Sequence, residues 1–162
     1  MAAREQSFPR PNYTPKGYHT ATSYLIVKGA GDAIEFYKKV FGAKEELRMA
    51  QPDGRIGHAE LKIGDSFIML ADEPPDGGYL SPQSLGGSSV SILLYVPDVD
   101  AVVKRAAEAG AKIVRPVADQ FYGDRMGTIH DPWGHVWSIA THVEDVSPEE
   151  LQRRAMAMHQ KS

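Results

Sequence analysis

The chain has 162 residues, 42% hydrophobic and 24% charged, with 18 Lys and Arg against 21 Asp and Glu for a formal net charge of −3. That is enough ordinary globular sequence to bury a full core, and the scattered basic residues argue against nucleic acid or an anionic membrane as the main partner. The absence of cysteine excludes disulfides, thiolate metal sites and a Cys nucleophile together.

Residues 1–18 hold Pro9, Pro11 and Pro15 among Phe8, Tyr13 and Tyr18 and read as an extended arm, either loosely ordered, as such arms usually are, or clamped onto the body by its aromatics. The arm has no apolar run fit for a signal peptide, and no run of membrane-spanning length follows, so a cytosolic protein is the expectation. A first module spans residues 19–72. It opens with a strand at Thr20 to Val27 and a helix from Asp32 to Phe41, with Ile34, Tyr37 and Phe41 on one face and Gly42 as terminator. Strands at Glu45 to Met49, His58 to Ile63 and Ser66 to Leu70 follow, separated by turns at 52–54 and 64–65. Residues 73–89, with three prolines and four glycines, form a connection that is either a lid over a pocket or a passive linker.

A second module at 90–142 repeats the order. Its strand is Val90 to Val96, its helix runs from Asp98 or Asp100 to Ala109, and strands lie near Ile113 to Pro116, Arg125 to His130 and Val136 to His142. Residues 23–44 align without a gap on 91–112. The identities are Ser23/Ser91, Leu25/Leu93, Asp32/Asp100, Ala33/Ala101, Gly42/Gly110, Ala43/Ala111 and Lys44/Lys112, an internal duplication offset by 68 positions. The tail, 143–162, carries a capping box, Ser147 to Glu150, before a helix whose weak stripe of Leu151, Ala155 and Met158 packs on the body or on a second subunit.

Strand alternation selects the candidate site residues. Ala59, Leu61 and Ile63 must pack on the helix, leaving His58, Glu60 and Lys62 on the other face. His58 and Glu60, about 6 to 7 Å apart along the strand, form either an acid/base pair, half of a displaced metal site, or a solvated pair on an open sheet. Ile92, Leu94 and Val96 pack inward, so Ser91, Leu93 and Tyr95 take the opposite face, the one expected to hold a ligand, as do Ser138 and Ala140 beside the packed Trp137 and Ile139. In Gln120 to Arg125, Phe121 and Tyr122 can stack on a planar ligand whose carboxylate pairs with Arg125; alternatively Asp124 and Arg125 brace the turn. His130, His135 and His142 read as structural rather than as metal ligands, with His130 and His135 flanking a tight hairpin where ring nitrogens often bond backbone groups. Gly29-Ala30-Gly31 lacks the third glycine of a dinucleotide site, and no nucleophile elbow, P-loop or H-E-x-x-H occurs.

Two βαβββ modules, the first helix AIEFYKKVFGA and the terminal DPWGHVWSIAT resemble the vicinal oxygen chelate superfamily, which includes glyoxalase I, bleomycin- and fosfomycin-resistance proteins and extradiol dioxygenases. Within it, HAELKIGDSFIMLADEP, DQFYGDRMGTIHDPWGHVWSIATH and EDVSPEEL look like the PhnB-like, glyoxalase-like branch. The resemblance, over about residues 17–155, implies an α+β fold of two modules forming a curved, cup-like mixed sheet with outer helices. It also implies a small organic ligand in the cup between them. The superfamily's metal enzymes place His, Gln or Glu ligands where this chain has Thr22 or Ser23, Met69, Ser91 and Ser138, poor ligands for Zn, Ni, Mn or Fe. The expectation is a metal-free binding protein, with a divalent-metal lyase, transferase or dioxygenase around His58 and Glu60 as the alternative. Open sheet edges and an incomplete concavity further imply a homodimer.

Overall fold

The computed structural model describes residues 12–159; residues 1–11 of the arm lie outside it. The first module comprises β1 (Ser23–Val27), α1 (Ala30–Phe41), β2 (Lys44–Ala50), β3 (Ile56–Ile63) and β4 (Ser66–Asp72). A short helix, α2 (Pro82–Leu85), interrupts the connection. The second module comprises β5 (Ser91–Tyr95), α3 (Val99–Glu108), β6 (Lys112–Asp119), β7 (Asp124–His130) and β8 (Val136–His142), and α4 (Pro148–His159) closes the chain. Each module is a four-stranded mixed sheet, ordered β1-β4-β3-β2 and β5-β8-β7-β6, with one parallel pair, β1/β4 or β5/β8. Among the described residues no helix is long and apolar enough to cross a membrane.

Each sheet carries a helix on one face and leaves the other open. The helix-bearing faces of the two modules meet in one core. Phe41 and Tyr37 of α1 reach Trp137 of β8, with ring centroids 4.6 and 5.4 Å apart. The Arg105 guanidinium of α3 donates to the Val40 carbonyl at the end of α1 at 2.8 and 3.0 Å. Inside this core Asp131, only 4% exposed, accepts from Tyr37 Oη at 2.6 Å, Trp137 Nε1 at 2.9 Å and the backbone N–H groups of Trp133 and His135 at 3.0 and 2.9 Å. Burial beside that carboxylate pushes the Tyr37 hydroxyl well above its ordinary value. His135 Nε2 meets the Ile26 carbonyl at 3.0 Å, the backbone-bonding role expected of a hairpin histidine.

The duplication is real, but its register differs from the gapless alignment. Helix α1 is capped at Gly29 and α3 at Asp98, an offset of 69. The buried faces obey the same offset: Ala30, Ala33, Ile34 and Tyr37 correspond to Val99, Val102, Val103 and Ala106. Asp72 Oδ1 accepts from the N–H groups of Gly29 and Ala30, while Thr141 Oγ1, again 69 residues on, accepts from Val99 N–H. The offset returns to 68 where β2 and β6 begin, at Lys44 and Lys112, because α3 is two residues shorter than α1 (10 against 12) while the turn after it, 109–111 against 42–43, is one residue longer. Side chains alternate faces along a strand, so one residue of slip moves the identical pair Leu25 and Leu93 to opposite faces. Leu25 is buried and Leu93 half exposed.

The other boundaries lie within a few residues of expectation. Half of the capping box forms: Glu150 N–H donates to Ser147 Oγ at 3.2 Å, while the Glu150 carboxylate accepts from Arg153 and Arg154 instead of from Ser147 N–H. Helix α4 leaves Leu151, Met156 and Met158 exposed and is tied down by Arg154, which pairs with Glu144 at 2.7 Å and donates to the Phe121 carbonyl at 3.2 Å.

Candidate functional site

The open face of module one is built by the alternation of β3 and β1. Ala59, Leu61 and Ile63 are buried, so His58, Glu60 and Lys62 project from the open side. In β1 the buried Leu25 and Val27 send Tyr24 and Ile26 to that side, where Tyr24 lies in register with Met69 and Met69 with Glu60. The result is a continuous polar chain. Tyr24 Oη meets His58 Nδ1 at 2.8 Å, and His58 Nε2 meets Glu60 Oε1 at 3.2 Å. Tyr18 donates its hydroxyl to Glu60 Oε2 while stacking on Phe67, centroids 4.1 Å apart, so this aromatic of the arm is clamped onto the body rather than loose.

Electrostatics follow the hydrogen bonds. The Tyr18 hydroxyl, with His58 second, holds the Glu60 carboxyl below its ordinary value against the opposing effect of burial. Tyr18 itself is pushed up to about 12, first by burial and then by Glu60. Burial, with Tyr79 nearby, raises Tyr24. A carboxylate can only accept, so Nε2 of His58 carries a proton; in the neutral imidazole Nδ1 then offers its lone pair to the Tyr24 hydroxyl.

Beside Tyr24 opens a cavity of about 550 Å³ lined by the apolar and aromatic Tyr24, Ile26, Ala71, Pro74 and Tyr79 and by the polar Gln51, Arg55 and Asp72. Tyr79 and Pro74 come from the connection. That segment is pinned by Glu73, which accepts from Ser81 N–H at 2.6 Å and Ser84 Oγ at 2.7 Å. Those bonds, Ser81 first, hold the Glu73 carboxyl down at about 2. Arg55 donates to Asp53 at 2.8 Å.

The second group of expected residues lies on the second module. Ser91, Leu93 and Tyr95 lie on the open face of module two, Leu93 in register with Ser138 and Tyr95 with Ala140. Phe121 and Tyr122 adjoin it, packed edge to face at 5.2 Å, with Tyr122 Oη directed at Met126 Sδ. Each open face is the side of its sheet turned away from the shared core. A cavity of about 210 Å³ at the seam takes Leu93 together with Thr22, Phe67 and Trp137, but neither His58 nor Glu60.

Arg125 requires a correction. Its side chain lies on the helix-bearing face, bidentate to Asp100 of α3 at 2.7 and 2.8 Å and bonded to Asp119 at 3.0 Å. Alternation from the buried Ile129 dictates this, and places Arg125 and Asp124 on opposite faces. Asp124 does not brace the turn with Arg125. Only 6% exposed, it accepts from Tyr95 Oη at 2.8 Å and pairs with His142 Nδ1 at 2.7 Å, and His142 Nε2 meets Asp145 at 3.0 Å. Asp145 first and Asp124 second raise His142 above the ordinary histidine value.

The superfamily's metal does not fit the residues present. Met69 sits between Tyr24 and Glu60 and Ser138 between Leu93 and Thr128, so a thioether and a hydroxyl occupy the central positions of the two faces. Among the described residues no group of three or more His, Cys, Asp or Glu converges to hold an ion.

Tyr24, Tyr79 and Arg55 were not singled out from sequence. Tyr24 was legible, because Leu25 and Val27 packing inward leave it outward. Tyr79 and Arg55 lie outside the regular β pattern, in the connection and beside a turn, and carry no such signal.

Relatives share this framework. An uncharacterized Mycobacterium tuberculosis protein, Rv0887c, is 45% identical over 132 residues, 80% of this chain and 78% of the relative. The X-ray structure of an Arabidopsis thaliana gene product, At5g48480, matches at 31% identity with a TM-score of 0.63, over 76% of this chain and 98% of that one. The PhnB protein of Bacillus cereus shares the fold, at 17% identity and a TM-score of 0.61 over 76% of this chain and 99% of its own. With the family model matching residues 18–139, the chain belongs to the Glyoxalase/Bleomycin resistance protein/Dioxygenase superfamily.

Proposed function

We infer that the protein binds a small organic molecule with a flat, largely apolar body against the open face of its first module, without a metal. One observation carries this reading: the cavity of about 550 Å³ beside Tyr24, walled by Tyr24, Ile26, Ala71, Pro74 and Tyr79, with Gln51, Arg55 and Asp72 as its polar residues. That volume lies in the range of small-molecule sites, and apolar walls with a few convergent polar groups are their usual chemistry. Tyr24 and Tyr79 are 48% and 72% exposed, leaving ring area for a flat ligand to cover. Hydroxyls and a thioether at the superfamily's ligand places supply no donor set for a divalent ion.

The test is a thermal-shift and titration series with benzoate and larger aromatic carboxylates, alongside elemental analysis of protein purified without an affinity tag. Binding is expected, weakened about tenfold by Tyr79→Ala, comparable to the loss of one aromatic contact. Well under one divalent ion per chain and a melting temperature unmoved by EDTA are expected with it. A stoichiometric Zn, Ni, Mn or Fe content that disappears in His58→Ala or Glu60→Ala would replace this reading with a metal enzyme.

A further inference from the structure

The polar chain behind the cavity has a direction. Tyr24 is its only member on the cavity wall; His58 lies behind Tyr24 and Glu60 behind His58. Glu60 stays ionised because Tyr18 and His58 both donate to it. His58 therefore keeps its Nε2 proton on Glu60 and presents a lone pair at Nδ1 to the Tyr24 hydroxyl, 2.8 Å away. A neutral phenol whose proton already points at an imidazole, itself backed by a carboxylate, can accept a proton from a ligand while passing its own inward. The other groups around it are consistent with this. The β2 residue in register with His58 is Met49, which does not titrate; Arg55 is held by Asp53; and Asp72 is committed to the backbone N–H groups of Gly29, Ala30 and Ile56.

We propose that Tyr24 is a proton-transfer residue, and that the site takes a ligand through an acidic hydroxyl, a phenol or an enol, whose proton is relayed through Tyr24 to His58. The inference rests on the cavity being the ligand site. In the step, the ligand O–H bond breaks and a new O–H bond forms on Tyr24 Oη, while the original Tyr24 proton moves to His58 Nδ1. The electron pair stays on the ligand oxygen, which then accepts a hydrogen bond from Tyr24. The imidazolium so formed keeps its Nε2–H on Glu60, so the positive charge arises beside a carboxylate already in place. No oxidant, reductant or metal enters the balance.

The probe is 4-nitrophenol, whose neutral and ionised forms absorb at different wavelengths, with benzoate as a ligand that has no hydroxyl proton to give. Binding of each is followed by saturation-transfer NMR, and the ionisation of bound nitrophenol by absorbance across pH. The wild type is expected to raise the ratio of ionised to neutral bound probe about tenfold over Tyr24→Phe, the size of one hydrogen bond to a charged group. His58→Gln should lose the same shift, and Glu60→Gln should reduce it. Near-UV circular dichroism confirms folding, and the milder Glu60→Gln keeps the test alive if His58→Gln misfolds. Nitrophenol bound with the same ionisation in wild type and Tyr24→Phe would overturn the relay and leave the cavity reading standing. Benzoate binding without nitrophenol binding would do the same, whereas failure of both ligands to bind would remove the cavity reading and the relay together.

Discussion

Asp131 shows how one side chain decides the packing of two modules. Four donors converge on a carboxylate that is almost fully buried, from α1, from the β7–β8 hairpin and from β8. Removing it strands those donors in the core, so Asp131→Ala is expected to cost about 3 kcal/mol or more, read as a lower urea midpoint. His142 shows the pH dependence of an exposed charge cluster. Its value is raised by Asp145 and Asp124, so its stabilising contribution is full at pH below the ordinary histidine value and is lost as pH rises through the raised midpoint. An NMR titration of His142 should show that midpoint falling in Asp145→Asn, and falling further when Asp124→Asn is added. The sequence already held part of this, since the Asp-Pro-Trp-Gly hairpin was visible. That one carboxylate accepts from Tyr37, 94 residues away, was not.

At the scale of elements, the duplicated strand and helix show how identity and structural equivalence part company. Ala33 and Ala101 align in sequence, yet Ala33 is fully buried against the core and Ala101 faces solvent. Ala33→Leu is therefore expected to destabilise by about 1 to 3 kcal/mol through overpacking, while Ala101→Leu should stay within about 0.5 kcal/mol of wild type. Equal effects in chemical denaturation would return the offset to 68. The signal for 69 lay in the periodicity: Ile34 and Tyr37 matched to Val103 and Ala106 keep both apolar stripes in phase, whereas the matched identities do not. Arg125 teaches the same lesson, because counting back from Ile129 in steps of two sets it on the α3 side, where Asp100 receives it.

The whole molecule presents two open sheet faces and four strand edges, at β1, β2, β5 and β6. Tyr24, Met49, Leu93 and Tyr95 stand exposed on those faces or at their margins. Unpaired edges and uncovered apolar surface favour association, so light scattering is expected to give a homodimer near twice the 17.8 kDa chain mass at micromolar concentration. A monomer would remove that expectation. By itself the sequence determined the βαβββ order, the alternation that turns His58 and Glu60 outward, the capped tail helix and the poor ligands at the superfamily's metal places. Each of these is local, set by a period of two or of 3.6 or by the chemistry of a single side chain. Only the tertiary structure decided that the helical faces share one core and that the cavity at the seam takes Leu93 but neither His58 nor Glu60. It alone backed Tyr24 with His58 and brought Tyr79 to the cavity wall. Those outcomes depend on which face of one module meets the other and on where an irregular connection comes to rest, and neither is encoded in the spacing of residues along a strand or helix.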